Sequence, residues 1–139
     1  MSQFPTDDVI EAAALAAMEH AREGDHQQAL QALAVPPGGS EAYWWSAQIV
    51  HLAGLAEERI GGNYGTRRTT VRELRSLHAV SFPPGADPAA AQAALDVCTR
   101  ISYELYREDL AAVDLLIDAI GEQDRDLVMT CLVASAAAA

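Results

Sequence analysis

Four arginines, Arg67, Arg68, Arg72 and Arg75, fall within nine residues of one another. On a helix, Arg68, Arg72 and Arg75 stand at i, i+4 and i+7 and share one face. Guanidinium groups gathered on a face hold phosphate or carboxylate bidentately. Thr66, Thr69 and Thr70 add hydroxyl donors, and a helix N-terminus favours an anion. Tyr64 joins them from the preceding stretch Gly61-Gly62-Asn63-Tyr64-Gly65, which is no P-loop, because it lacks both the lysine and the spacing. These residues form a candidate site for a small phosphorylated or carboxylated ligand, or for an acidic partner. The same arginines can instead pair with the chain's own acids, such as Glu57, Glu58 or those within 104–118, as exposed arginines commonly do.

Other reactive side chains converge less. His20, His26, His51 and His78 are scattered. Glu23-x-x-His26 matches the spacing of a di-iron ligand pair but straddles Gly24, so it does not form one helical face, and a bundle metal site needs a second such pair. No metal site is expected, and no cofactor. Glu57-Glu58, Glu108-Asp109 and the i, i+4 pair Asp114 and Asp118 are paired carboxylates that acid–base chemistry or a divalent cation could use. Charge at helical period also describes a solvated face. No serine sits in a nucleophile elbow. Cys98 and Cys131 lie in apolar helical patterns without a CxxC neighbour, as buried thiols do. No catalytic residue emerges, and nothing positive argues for an enzyme.

Aromatic residues supply the second candidate surface. Trp44 and Trp45 are adjacent and point about 100° apart on a helix. Trp45 fits the apolar stripe, which leaves Trp44, with Tyr43, as an edge pair of the kind that anchors protein interfaces. Trp44 closing the core against Pro36-Pro37 is the other reading. Tyr103 and Tyr106 form a further half-exposed pair.

Charge limits the partners. The 139 residues carry a formal net charge of -11, and all nine basic residues are arginine. Residues 1–60 carry net -7, residues 61–86 net +3 and residues 87–139 net -7. Such a surface repels nucleic acid and anionic membranes at long range. The run 127–139 is nearly apolar but, at 13 residues, shorter than the ~18–20 that span a bilayer. It reads as a core helix fraying into an alanine tail. With no basic and apolar leader at its start, the chain is expected in the cytoplasm.

The elements that must position these residues are helices. Of the residues, 28 are alanine, and the apolar positions recur at spacings of three and four. Asp7 or Asp8 can cap a first helix, with Glu11 as capping-box partner. Its stripe is Ile10, Ala13, Ala14, Ala17 and Ala21. Gly24 ends it, and Asp25 caps a short second helix with Ala29, Leu30 and Leu33 inward. Pro36-Pro37-Gly38-Gly39 breaks the chain. Ser40 caps a third helix to about Ile60, with Ala42, Trp45, Ile49, Leu52, Ala56 and Ile60 as its core and Tyr43, Ala47, Val50 and Gly54 as a neighbouring small stripe. Gly54 suggests a close helix crossing. Thr66 caps a fourth helix to about Ala79. Asp87-Pro88 starts a stretch to Ile120 that is one helix with a rotating face, or two broken near Glu108. Asp124 or Asp126 caps a last helix. The sum is an all-α bundle of six or seven helices in one domain, 1–139, with loops near 35–40, 61–66, 80–87 and 121–124.

Residues 13–33, AALAAMEHAREGDHQQALQAL, resemble a tetratricopeptide hairpin: the small Ala17, the Gly24-Asp25 turn, then Ala29 and Leu33 stand where its two helices touch. The likeness covers 10–35 and, less clearly, 43–78, with Gly54 as the small residue and Gly61-Gly62-Asn63 as turn. Pro36-Pro37 cuts the second helix short, and Ala13 and His20 replace the family's aromatic residues. The resemblance implies antiparallel helical hairpins. The functional expectation is a protein-interaction module (adaptor, regulator or inhibitor) that presents a helical surface to another protein, with a second copy of the chain left open as partner. The contacts expected are Tyr43, Trp44, Tyr64, Arg67, Arg68, Arg72 and Arg75. The alternative is anion binding at the arginines.

Overall fold

In a computed structural model, which describes residues 6–64, 85 and 87–137, six helices follow one another. They are α1 (Asp7–Arg22), α2 (His26–Ala32), α3 (Glu41–Tyr64), α4 (Pro88–Tyr106), α5 (Leu110–Asp118) and α6 (Glu122–Ala137). No strand occurs among the described residues. The architecture is an all-helical bundle.

Local chemistry sets most boundaries. α1 ends in a full Schellman motif: Gly24 has φ 81°, its N–H bonds to the Ala21 carbonyl, and the Asp25 N–H bonds to that of His20. The αL residue costs glycine nothing, and the last carbonyls of the helix are satisfied. The Asp25 carboxylate then accepts from the Gln28 N–H at 3.1 Å and caps α2. Asp87 and Ser40 cap α4 and α3 in the same way.

The stretch from 88 to 120 is two helices. Glu108 adopts φ 62°, its N–H bonds to Leu105, the Asp109 N–H bonds to Glu104, and the Asp109 side chain caps α5 through Ala112 N. This is the Gly24-Asp25 turn again, with glutamate in the glycine's place, and L-glutamate there costs about 1 kcal/mol.

Three other boundaries depart from expectation. α1 begins at Asp7 with Thr6 as a cap that makes no side-chain bond, so Asp7 and Asp8 lie in the first turn. α3 runs through Gly61, Gly62 and Asn63 to Tyr64, where a loop was expected; two glycines weaken a helix but do not end it while its backbone bonds continue. α6 starts at Glu122, ahead of Asp124 and Asp126.

The core joins all six helices around α6. α6 packs on α1, α2, α3 and α4, and from Val128 to Ala137 every residue but Ala134 is buried. A helix apolar on all sides belongs inside. The alanine tail therefore does not fray within the described residues; Ala136 and Ala137 are core. The buried hydroxyls of α6 bond within it, Thr130 donating to Asp126 O and Ser135 to Cys131 O, each at 2.8 Å. Arg22 Nε donates to Ala137 O at 3.1 Å, a cation at the negative end of the helix.

The chain repeats its three-helix arrangement 84 residues on. Gly24 and Asp25 answer to Glu108 and Asp109, and the two caps have almost the same backbone angles, φ -94° and ψ 78° at Asp25 against φ -91° and ψ 80° at Asp109. Buried positions correspond at the same offset: Ile10 with Ala94, Ala14 with Cys98, Ala17 with Ile101, Ala29 with Val113, Leu33 with Ile117, Ile49 with Val133. α3 packs on α4 as α6 packs on α1, and α3 and α6 pack on each other. Few identities accompany this, such as Asp25 with Asp109 and Ala53 with Ala137.

Candidate functional site

The tryptophans have exchanged the places the apolar stripe assigned them. Trp44 is 1% exposed and its indole N–H donates to the Leu33 carbonyl at 2.7 Å. It is a core residue, as the second of the two readings had it, and not an edge contact. Trp45 is half-buried under the Arg125 guanidinium, 5.4 Å from the ring centroid. The inner face of α3 is thus Trp44, Gln48, Ile49, Leu52, Ala53 and Ala56; Ile49, Leu52 and Ala56 keep their expected places, and the shift is at the N-terminal end, where Trp44 replaces Trp45. Gln48 lies on this face: its Nε2 donates to the Ile10 carbonyl of α1 at 3.1 Å, with the side chain fully buried. A polar residue that brings its own hydrogen bond can occupy a core position.

The small stripe of α3, on the far side of the helix from that face, lies partly open beside α1. Tyr43, Ser46, Ala47, Val50 and His51 form one wall of an open groove of about 570 Å³, and Asp7, Ile10 and Glu11 form the other. Ile10, Ala47 and Val50 supply apolar surface, and Asp7 and Glu11, one turn apart on α1, put two carboxylates on its edge. Neither acid has a hydrogen bond or ion pair among the described residues. Tyr43 is 36% exposed.

A second, smaller cleft of about 160 Å³ is lined by Trp45, Ile49, Ile117, Asp118, Ile120 and Arg125, among others. Its cation is already engaged, because Arg125 bonds Glu41 at 3.2 Å. Tyr103 and Tyr106 stack at 6.2 Å, with Arg107 over Tyr103 and paired to Glu104 at 3.3 Å. Leu110 and Leu115 of α5 are strongly exposed.

Of the contacts expected from sequence, Tyr43 lies on the groove and Trp44 in the core. The side chain of Tyr64, and Arg67, Arg68, Arg72 and Arg75 together with the expected helix 66–79, lie outside the described residues. The groove's other residues escaped the sequence reading. Glu11 was assigned to capping, and Ala47 and Val50 to helix packing; their signal was a small stripe displaced from the core stripe. Gly54 in that stripe is not a close crossing: a Cβ there would meet nothing within 4 Å.

Cys98 and Cys131 are buried and outside any disulfide. Cys98 Sγ donates to Val128 O at 3.7 Å. Burial pushes its thiol pKa well up, and hydrogen bonding and charge at the neighbouring Cys131 add to the rise. It is held as a neutral core thiol rather than a nucleophile. Among the described residues no group of three or more His, Cys, Asp or Glu is placed to hold a metal ion, and no helix is long and apolar enough to cross a membrane.

No family model matches the chain, and neither a curated protein nor a solved structure does.

Proposed function

We propose that the protein is an interaction module, of the adaptor, regulator or inhibitor kind, and that the α1–α3 groove receives an apolar segment of another protein. The observation that carries this reading is the groove itself: two helices held by the buried Gln48–Ile10 bond leave Ala47 and Val50 half-buried under the exposed Tyr43, with the buried Ile10 beneath them. Helical grooves with an apolar floor and a polar edge are a recurring mode of peptide recognition. The hairpin likeness of α1 and α2 to tetratricopeptide repeats supports it from the side of sequence. Two buried thiols kept out of a disulfide fit a reducing cytoplasm as its compartment.

The test is a pair of surface substitutions. Ala47→Arg fills the groove at a helical position where arginine is almost as good a helix former as alanine. Leu115→Arg makes the same change on α5, at a residue 72% exposed. In binding assays against candidate partners, Ala47→Arg is expected to abolish association and Leu115→Arg to leave it intact. The reverse result removes the groove from the function.

A further inference from the structure

The 84-residue repeat shows what is unusual about the groove. The counterparts of its residues in the second half are Ala91, Ala94, Leu95, Leu127, Thr130, Cys131, Ala134 and Ser135. Five of them, Ala94, Leu95, Thr130, Cys131 and Ser135, are buried, and the other three are half-buried. In the first half only Ile10 is buried; Ser46, Ala47, Val50 and His51 are half-buried and Asp7, Glu11 and Tyr43 are exposed, so the face that is largely interior in one half is partly open in the other. In the first half it also carries acids: Asp7 corresponds to Ala91, and Glu11 to Leu95.

Length and charge describe the occupant. Along α3 the groove runs from Tyr43 to His51, and eight residues of helix rise about 12 Å, two turns. A partner helix presents apolar side chains at i, i+4 and i+7 over that distance. Asp7 and Glu11 lie on one edge without an ion-pair partner among the described residues, within a stretch 1–60 of net charge -7. An acidic edge selects cations and slows the approach of anything acidic. A second copy of this chain brings net charge -11 to the same contact and is disfavoured as occupant.

We infer that the groove binds a short cationic amphipathic helix of a partner protein, with aliphatic side chains on Ile10, Ala47 and Val50 and an arginine or lysine beside Asp7 and Glu11. This rests on the interaction reading above and specifies the partner's chemistry.

The experiment uses three fluorescein-labelled synthetic peptides of about 14 residues, some four helical turns. The first is a helix with leucines at i, i+4 and i+7 and arginines flanking them. The second has glutamate for each arginine, and the third scrambles the order of the first. Fluorescence anisotropy with the full chain is expected to give a Kd for the first at least tenfold below those of the other two. Asp7→Asn with Glu11→Gln weakens it about fivefold to tenfold, the scale of two exposed charge pairs, while leaving the thermal midpoint in place. Raising the salt weakens it as well.

Equal affinity for the arginine and glutamate peptides, both lost in Ala47→Arg, overturns the cationic inference and keeps the groove. Binding that Ala47→Arg does not touch overturns both. No binding of any peptide overturns the inference, as does a concentration-dependent dimer that Ala47→Arg dissolves, which gives the groove to a second copy.

Discussion

Replacing each tryptophan separately by phenylalanine tests the packing of α3, because the two changes remove different things. Trp44 is buried and gives its indole N–H to the Leu33 carbonyl at 2.7 Å. Trp44→Phe leaves that buried carbonyl without this donor, a loss of about 1–3 kcal/mol. The smaller ring also leaves a void, adding about 1 kcal/mol. The sum is about 3 kcal/mol, or roughly 10 °C in the midpoint for a domain of this size. The Trp45 indole N–H has no acceptor among the described residues, and the ring is half-buried under Arg125. Phenylalanine keeps part of that cation–π contact, itself worth about 0.5–1 kcal/mol. Trp45→Phe therefore costs about 1 kcal/mol or less. Urea unfolding followed by far-UV circular dichroism, with unchanged slope, reads both. If Trp45→Phe costs as much as Trp44→Phe, or more, the assignment of the inner face is wrong.

Three further outcomes follow from the backbone and the core. Gly54→Ala raises stability by about 0.5–1 kcal/mol, since a Cβ there meets open space and alanine is the better helix former; destabilisation in a urea titration contradicts the open site. Glu108→Gly also stabilises, by roughly 1 kcal/mol, because glycine adopts the φ of 62° without strain; Ala93→Gly, at an exposed position inside α4, destabilises by about 1 kcal/mol. The Cys98 thiol is favoured in its neutral form by the fold, so its contribution is fully present below the unfolded thiol pKa of about 8.5 and is lost as pH rises past it toward the higher folded value. Thermal midpoints should fall above about pH 8.5, less steeply in Cys98→Ala. An equally steep fall in that variant excludes Cys98 as the cause.

The helical class, the Gly24-Asp25 turn and the Ser40 and Asp87 caps were legible in the sequence because each is a local rule: periodicity, an αL glycine, a side-chain oxygen before an amide. The break near Glu108 was visible only as one of two options, since glutamate does not announce an αL residue. α3 continued through Gly61 and Gly62 because propensity is a weak force beside continued backbone bonding. A buried Trp44 was visible only as the second of two readings, because Gln48 counts as polar in a periodicity and its partner is the Ile10 carbonyl, 38 residues away. The groove was hidden for the same reason. Its residues come from two helices, and how α1 lies beside the stripe Tyr43, Ala47 and Val50 is not written in either helix alone. The 84-residue repeat left a pattern of burial rather than of identities, so Ala14 and Cys98, or Leu33 and Ile117, correspond without resembling each other.

The central claim is that the open face between α1 and α3 is where the protein meets its partners. Selection from an unbiased random-peptide display library on the immobilised full chain tests it most directly, with Ala47→Arg and Leu115→Arg as counter-targets. The account predicts enriched peptides that are amphipathic and arginine- or lysine-bearing, that lose binding to Ala47→Arg, and that keep it to Leu115→Arg. Enriched peptides that bind Ala47→Arg undiminished would contradict it.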